Sequence, residues 1–241
     1  MKSHKAGHSA IQVSLKFLLR EYAEALILAV LLAFIVRSFV VSAYRIPTLA
    51  MSPTLLPGDF IFAYKLPFGF QLPFSGGNRV GGHPPNRGEV VIFRCPYDPS
   101  VSCIKRVVGL PGDRIRIQGK RLILNGKKAT YQTAKGAPLS GEDGGSQGVV
   151  VEEAWGGFRH QILIGAVTKT ENYGPLVVPP GHLFVLSDNR DHGEDSRKWG
   201  LISIRSLEAR AGVIWLSLGW EDSEKSLLPN MRWSRVLQVV D

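Results

Sequence analysis

The chain is poor in cysteine: it has only Cys95 and Cys103, on either side of the stretch PYDPSVS. Two thiolates are too few for a structural zinc site, and no second histidine lies within chelating spacing of His192. The sequence also shows no internal repeat and no sustained heptad pattern, which argues against solenoids and coiled coils. We therefore expect a globular protein that binds neither a metal nor a cofactor.

Acidic residues are scarce at the N-terminus, where several cations precede the longest apolar run, ALILAVLLAFIV: Lys2, Lys5, Lys16 and Arg20. Extended over 22–41, this run would span about 30 Å as a helix, the thickness of a bilayer core. We predict a cytoplasmic N-terminus over 1–21, a single transmembrane helix over 22–43 and an extracytoplasmic domain over 44–241. A cleaved signal peptide, ending at the small residues VSA, and a soluble core helix are the alternatives.

The charge balance favours an anionic partner, because 29 Lys+Arg against 20 Asp+Glu give a formal net charge of +9. If residues after 44 lie outside the cytoplasm, nucleic acid is not expected there. Affinity for anionic phospholipid is the better interpretation.

Glycine and proline are plentiful, at 26 and 15 residues, and separate many short Val/Ile/Leu runs. This pattern predicts a mainly β fold, an antiparallel barrel or sandwich, with strands over 60–66, 89–95, 103–110, 160–167, 182–187 and 211–218. Asn125-Gly126 between apolar runs indicates a two-residue hairpin. A flexible insertion is expected around 119–160, where 134–157 turns to Gly, Ser, Glu and Asp. Cys95 and Cys103 either form a disulfide across a hairpin or are two small buried residues.

A lysine lies inside the apolar stretch IKRVVGLPGD. Alternation along a strand sends Lys105 and Arg106 to opposite faces, so at least one of them should be buried. A lysine with an ordinary pKa near ~10.4 must lose about three units to act as a base at neutral pH, and an apolar wall can cause that loss. The alternative is a surface lysine.

The stretch SDNRDHGEDSRKWG mixes acids and bases over a few residues. Alternating signs in one loop are more typical of a salt-bridged scaffold than of a metal site or a pair of catalytic acids.

These segments together resemble bacterial type I signal peptidase, the membrane-anchored Ser/Lys endopeptidase that removes signal peptides from exported proteins. The resemblance rests on RSFVVSAYRIPT, AMSPTLLPGDFI, RGEVVIF, IKRVVGLPGD and DNRDHGEDSRKWG, which occur in this order along most of the chain. It implies a protein of the bacterial inner membrane, single-pass with its N-terminus in the cytoplasm, whose partners are the signal peptides of preproteins.

The resemblance also implies residue roles. Lys105 matches the general base, Ala50 the position of the serine nucleophile, and Thr48 a hydroxyl that supports the oxyanion hole. Residues lining the shallow substrate pockets would be Ile46, Pro47 and Met51. Residues of the charged frame that holds the site would be Arg106, Asp188, Arg190, Asp195, Ser196 and Arg197, with Arg106 pairing with Asp188.

The sequence departs from the family pattern at the nucleophile itself. Ala50 has no hydroxyl, Leu49 replaces a small residue, Ser187 stands where glycine is usual and Gly193 stands where a serine would orient the lysine. An engineered Ser-to-Ala change, natural loss of activity, or attack by Ser52 instead would explain Ala50. The chain as written is therefore expected to be inactive, and a paralogue that binds signal peptides without cutting them is the alternative. A self-cleaving Ser/Lys repressor and a membrane-tethered β domain of other function are further alternatives.

Overall fold

The computed structural model describes residues 6–71, 79–139, 148–165, 172–219 and 229–241. The chain divides into two compact units, residues 1–41 and 42–241. The first contains α1 (Ala6–Phe39). Residues 17–39 contain neither Gly nor Pro and are rich in Ala and Leu, a composition that favours helix.

Large apolar side chains of α1 are solvent-exposed, among them Leu26 at 65%, Ile27 at 67% and Phe34 at 66%. None of the helices in the described ranges is both long enough and apolar enough to cross a membrane. The transmembrane helix predicted over 22–43 is therefore not confirmed.

The second unit is mainly antiparallel β, which confirms the predicted class. In chain order the described strands are β1 (Val41–Arg45), β2 (Asp59–Tyr64), β3 (Phe70–Gln71), β4 (Arg79–Val80), β5 (Val90–Arg94), β6 (Ser102–Gly109), β7 (Arg114–Gln118), β8 (Arg121–Leu124), β9 (Lys127–Lys128), β10 (Thr130–Leu139), β11 (Gly148–Trp155), β12 (Phe158–Gly165), β13 (Tyr173–Val177), β14 (His182–Leu186), β15 (Ile202–Ser203), β16 (Leu207–Gly219) and β17 (Asn230–Met231). One turn of helix, α2 (Ser196–Trp199), lies between β14 and β15.

The main sheet has the strand order β1-β2-β16-β5-β6-β14-β15, and β17 also pairs with β16. Three smaller sheets have the orders β10-β11-β12, β13-β7-β8-β9 and β3-β4. The six strands predicted in the sequence correspond to β2, β5, β6, β12, β14 and β16. Asn125 and Gly126, both with positive φ, join β8 to β9 and confirm the predicted hairpin.

Strand β5 is a continuous apolar run because both of its faces are buried. Val90 and Ile92 enter one buried cluster, whereas Val91 and Phe93 enter another on the opposite face. A strand buried on both faces needs no polar side chain between its apolar ones. Its neighbour β6 is the strand that carries Lys105 and Arg106.

The predicted insertion around 119–160 contains regular structure. Strands β8 to β11 and the start of β12 occupy its described part, and β10, β11 and β12 form a sheet of their own. Of these strands, β8 and β9 belong to the predicted Asn125-Gly126 hairpin, whereas β10 and β11 were not predicted because 134–157 is rich in Gly, Ser, Glu and Asp. Residues 140–147 of the segment lie outside the described residues, and its flexibility stays a prediction.

Candidate active site

The segment that holds Ala50 is a closed loop between β1 and β2. The amide of Ile46 donates to the carbonyl of Asp59 at 2.8 Å, and the amide of Gly58 donates to the carbonyl of Ile46 at 2.9 Å. Residues Leu49–Met51 form one turn of 3₁₀ helix. The side chains of Ile46 and Met51 are buried in the core, whereas Pro47 and Thr48 are exposed and Ala50 is half-buried.

Asn189 ties this loop to the residues that follow β14. Its amide donates to the carbonyl of Ala50 at 3.0 Å, and its side-chain Nδ2 donates to the carbonyl of Leu49 at 3.2 Å. Sequence reasoning missed Asn189, although it lies within the motif DNRDHGEDSRKWG. The signal that could have identified it is a side-chain amide in this motif, which can bond one carbonyl while the backbone N–H of the same residue bonds the next.

Lys105 lies on β6 with 6% of its surface exposed. It pairs across the sheet with Val91, and its face of the strand carries Val107, which pairs with Val185. Burial among these apolar side chains lowers the pKa of the Lys105 amine, and the carboxylates of Asp195 and Asp188 only partly oppose that effect. The environment is therefore the one that a lysine general base requires.

Arg106 points to the other face of β6 and pairs with Asp188, as predicted. Its Nε donates to Asp188 Oδ1 at 2.8 Å and its Nη2 to Oδ2 at 2.7 Å, and both side chains have 1% of their surface exposed. Thr54 Oγ1 donates to Asp188 Oδ2 at 2.5 Å. Both consecutive basic residues are thus buried, where the sequence required burial of only one. Although burial opposes ionisation, Arg106 holds the pKa of the Asp188 carboxyl below its usual value.

A second buried ion pair, Arg190 with Glu153, lies beside the first. Arg190 Nη1 donates to Glu153 Oε1 at 3.0 Å, and Glu153 also accepts from Tyr131 at 2.6 Å and from Trp155 at 3.1 Å. Burial opposes ionisation of Glu153, but Arg190 holds the pKa of its carboxyl below the usual range. Glu153 was missed in the sequence because it lies in the stretch interpreted as an insertion.

His160 fills the space between the two pairs. Its Nε2 lies 3.4 Å from Glu153 Oε2 and 3.8 Å from Asp188 Oδ1. Burial lowers the pKa of His160 to about 4, so the ring is neutral at neutral pH. The sequence carried no signal for this role, since an isolated histidine on a strand is usually a packed core residue.

The remaining members of the predicted charged frame lie on or next to α2. Asp195 caps α2 by accepting from the amide of Arg197 at 3.1 Å, and it accepts two further bonds from the Arg197 guanidinium. Ser196 Oγ accepts from the amide of Val185 at 3.0 Å, which fixes α2 against β14. Within the described residues, no group of three His, Cys, Asp or Glu side chains is arranged to hold a metal ion.

The loop after β14 therefore connects the predicted site residues. It bonds the backbone of Ala50 through Asn189 and pairs with Arg106 through Asp188, and the charges of Asp195 and Asp188 act on the Lys105 amine. Cys95 and Cys103 are joined by a disulfide, with Cα atoms 5.2 Å apart, at the end of the β5–β6 hairpin that carries the lysine.

The chain is similar in sequence to one protein family along most of its length. The family model described as signal peptidase, peptidase S26, matches residues 19–216. Signal peptidase I of Pseudomonas aeruginosa is 36% identical over 233 residues, which cover 91% of this chain and 78% of the relative. The Pseudomonas fluorescens protein of the same name is 34% identical over 235 residues, with coverage of 91% and 78%.

A signal peptidase I from Enterococcus faecalis V583 of known structure is 25% identical, with a TM-score of 0.32, and the match covers 52% of this chain and 95% of that one. The sequence matches to the family and its relatives extend over most of the chain. This chain belongs to peptidase family S26, among the bacterial type I signal peptidases.

Proposed function

We propose that this protein recognises the signal peptides of exported preproteins, and that its fold is that of an endopeptidase that cuts after small-x-small motifs with a Ser/Lys dyad. Lys105 is the general base and residue 50 is the position of the nucleophile. The observation that carries the proposal is the burial of Lys105 in apolar surroundings that lower the pKa of its amine.

The chain as written does not cut, because Ala50 offers no lone pair for attack on the scissile carbonyl. Loss of a nucleophile removes up to about 10⁶-fold of rate in a serine protease. Ser52 does not replace it: its hydroxyl is buried and has no hydrogen-bond partner in the described part of the chain. A nucleophile needs both access to the substrate and contact with a base.

Thr48 supports the oxyanion in this proposal, since its exposed hydroxyl has no side-chain capping bond to the following turn. Exposed Pro47 contacts the substrate, and the buried side chains of Ile46 and Met51 form the floor of the shallow pockets. Arg106, Asp188, Arg190, Asp195, Ser196 and Arg197 hold the surrounding backbone rather than the substrate.

Restoring the hydroxyl tests the dyad. Ala50→Ser should cleave a preprotein at its signal-peptide junction, and adding Lys105→Met should reduce cleavage by at least about 10²-fold, the usual contribution of a general base. Lys128→Met in the same background is the matched control, because Lys128 is an exposed lysine on β9. Cleavage that survives Lys105→Met, or no cleavage by a folded Ala50→Ser chain, would contradict the assignment.

A second candidate is a paralogue that captures signal peptides without cutting them, and Ala50 together with Leu49 favours it. The unaltered chain would then bind a synthetic signal peptide with an affinity matching that of Ala50→Ser, and no product would appear. Cleavage by Ala50→Ser at a rate near that of active relatives would instead indicate a recent or engineered loss.

We also propose that α1 anchors the protein in the bacterial inner membrane as a single-pass helix with its N-terminus in the cytoplasm. The exposed apolar side chains of α1 support attachment to lipid, and the cationic residues before them support contact with anionic headgroups. The described part of α1 is not long and apolar enough to cross a membrane. An experiment on the anchor must therefore distinguish a membrane-spanning helix from a helix that lies on the membrane surface.

A further inference from the structure

Hydrogen bonds fix the backbone of Ser187 at both its amide and its carbonyl. Its amide donates to Asp195 Oδ2 at 2.9 Å, and its carbonyl accepts from Arg190 Nε at 3.1 Å. Its hydroxyl, by contrast, is fully buried and has no hydrogen-bond partner among the described residues. A buried hydroxyl left unpaired is unfavourable, so such a group at a fixed backbone position calls for an explanation.

Ser187 directly follows the last residue of β14, the strand that pairs with the strand of Lys105. Strands β14 and β6 are antiparallel and pair Val185 with Val107 and Leu186 with Arg106. β14 ends at Leu186, and the same register continued by one residue would set Ser187 opposite Lys105. Side chains of directly opposed residues lie on the same face, with Cβ atoms about 5 Å apart. On this continued register, we infer that the Ser187 hydroxyl reaches the end of the Lys105 side chain after a change of rotamer.

Gly193 provides the space for this hydroxyl. A Cβ built on Gly193 would collide with both Oγ and Cβ of Ser187. Gly193 is not among the glycines with positive φ, so its backbone conformation would accept a side chain. The small size of Gly193, and not its conformational freedom, is what this position requires.

We propose that the hydroxyl of Ser187 positions the amine of Lys105, and that Gly193 lacks a side chain because the Ser187 side chain occupies that volume. The proposal depends on the proposed function only for the use made of the amine. Ser187 is a positioning residue. Its hydroxyl donates a hydrogen bond to the neutral amine or accepts one from the ammonium form, and so holds Lys105 in one rotamer in either state.

A neutral hydroxyl suits this position because the charges that act on Lys105 have both signs. Asp195, Asp188 and Glu194 favour the ammonium form, and Arg197 disfavours it. A further carboxylate at residue 187 would stabilise the ammonium form more and oppose the use of Lys105 as a base.

The first test uses the unaltered full chain in detergent and needs no peptidase activity. The pKa of Lys105 is followed by the NMR shift of ¹³C-labelled lysine Cε, and the signal is assigned by its loss in Lys105→Met. In Ser187→Ala the ammonium loses an acceptor, so its pKa should fall further below that of the parent. A hydroxyl that only fills space would leave the titration unchanged, and water entering the gap would raise the pKa; either result would overturn the proposal.

The second test exchanges the two residues. Gly193→Ser alone should disturb the titration of Lys105, because its side chain collides with Ser187. Ser187→Gly combined with Gly193→Ser returns a hydroxyl to the same volume from the opposite side, and should restore the parent titration to within the error of the measurement. Thermal melts of all three variants confirm folding, and a folded double variant that titrates like Ser187→Gly alone would contradict the exchange.

In the Ala50→Ser background, Ser187→Ala should lower kcat by about 10-fold or more with little change in KM, because the base is present but badly placed. The acidic limb of kcat should shift in the same direction as the NMR titration. Absence of any cleavage by Ala50→Ser would refute the proposed function alone, since the titrations of the unaltered chain would still decide the role of Ser187.

Discussion

Arg106, Asp188, Arg190 and Glu153 carry full charges at positions with almost no solvent exposure. Each is paired and has further hydrogen bonds, including those from Thr54 to Asp188 and from Tyr131 to Glu153. Burial of a charge is tolerated only when such partners replace its hydration. These pairs set the backbone of the loop after β14, and that loop in turn fixes Ala50 and borders Lys105.

His160 makes the stability of this cluster depend on pH. In the unfolded chain a histidine binds a proton near pH 6.5, whereas burial lowers the pKa of folded His160 to about 4. Between these values the unfolded state binds more protons, so the free energy of unfolding should fall with decreasing pH by up to about 1.4 kcal/mol per unit. Above pH 6.5 this group contributes no pH dependence.

The variant His160→Phe, which fits among the rings of Trp155 and Phe158, should remove that part of the slope. Urea unfolding at intervals from pH 7 to pH 4 would measure it. His83→Phe, at an exposed histidine, is the control and should keep the parent slope. Parallel curves for the parent and His160→Phe would show that His160 is not the titrating group.

At the scale of elements, the hairpin formed by β5 and β6 carries the central site residues and is closed by the Cys95–Cys103 disulfide. The amide of Cys95 also donates to the carbonyl of Val101 at 2.9 Å, so the turn is fixed by the backbone as well. The register of this hairpin decides which face Lys105 occupies. A shift by one residue would exchange the environments of Lys105 and Arg106.

Removing the disulfide should destabilise the fold without unfolding it. With a separation of 8 residues in sequence, the closed loop is short. The loss expected from chain entropy is about 2–3 kcal/mol. For a domain of this size that corresponds to a fall in Tm of roughly 5–10 °C.

The double variant Cys95→Ala/Cys103→Ala, melted with and without reductant, measures the effect. The parent should lose stability on reduction, whereas the variant should show the same Tm under both conditions. A parent that melts at one temperature irrespective of reductant would contradict a stabilising role for the bridge.

At the scale of the whole molecule, residues 1–41 and 42–241 are separate compact units. The second unit has its own buried clusters on both faces of the main sheet, and every residue proposed for the site belongs to it. It should therefore fold without the first unit.

Deletion of residues 1–40 keeps β1 intact and should leave a cooperative thermal transition with a Tm within a few degrees of the parent. The parent should stay with the membrane pellet after alkaline carbonate extraction, and the deletion variant should be released. Binding of the parent to vesicles should rise with the content of anionic lipid. Release of the parent by carbonate would show that α1 lies at the surface, and would refute the single-pass anchor.

Several features were evident in the sequence because they depend on short-range patterns. Alternating or continuous apolar runs predicted six of the strands, Asn125-Gly126 predicted a hairpin, and five motifs in order indicated the family. The pairing of Arg106 with Asp188 was also anticipated, because the family resemblance supplied the contact between distant motifs.

Contacts between residues that are distant in sequence became known only from the tertiary structure. Arg190 pairs with Glu153, 37 residues away in sequence, because the sheet of β10, β11 and β12 brings that carboxylate to the loop after β14. Val185 pairs with Val107 and Leu186 with Arg106 because β14 lies beside β6 in one particular register. Six strands, the hairpin turn and the kind of chemistry could be predicted from local patterns, since these features depend on neighbours along the chain. The partners of each buried polar group depend on strand order and register. Strand order and register in turn depend on how all the apolar faces of the sheets are buried together.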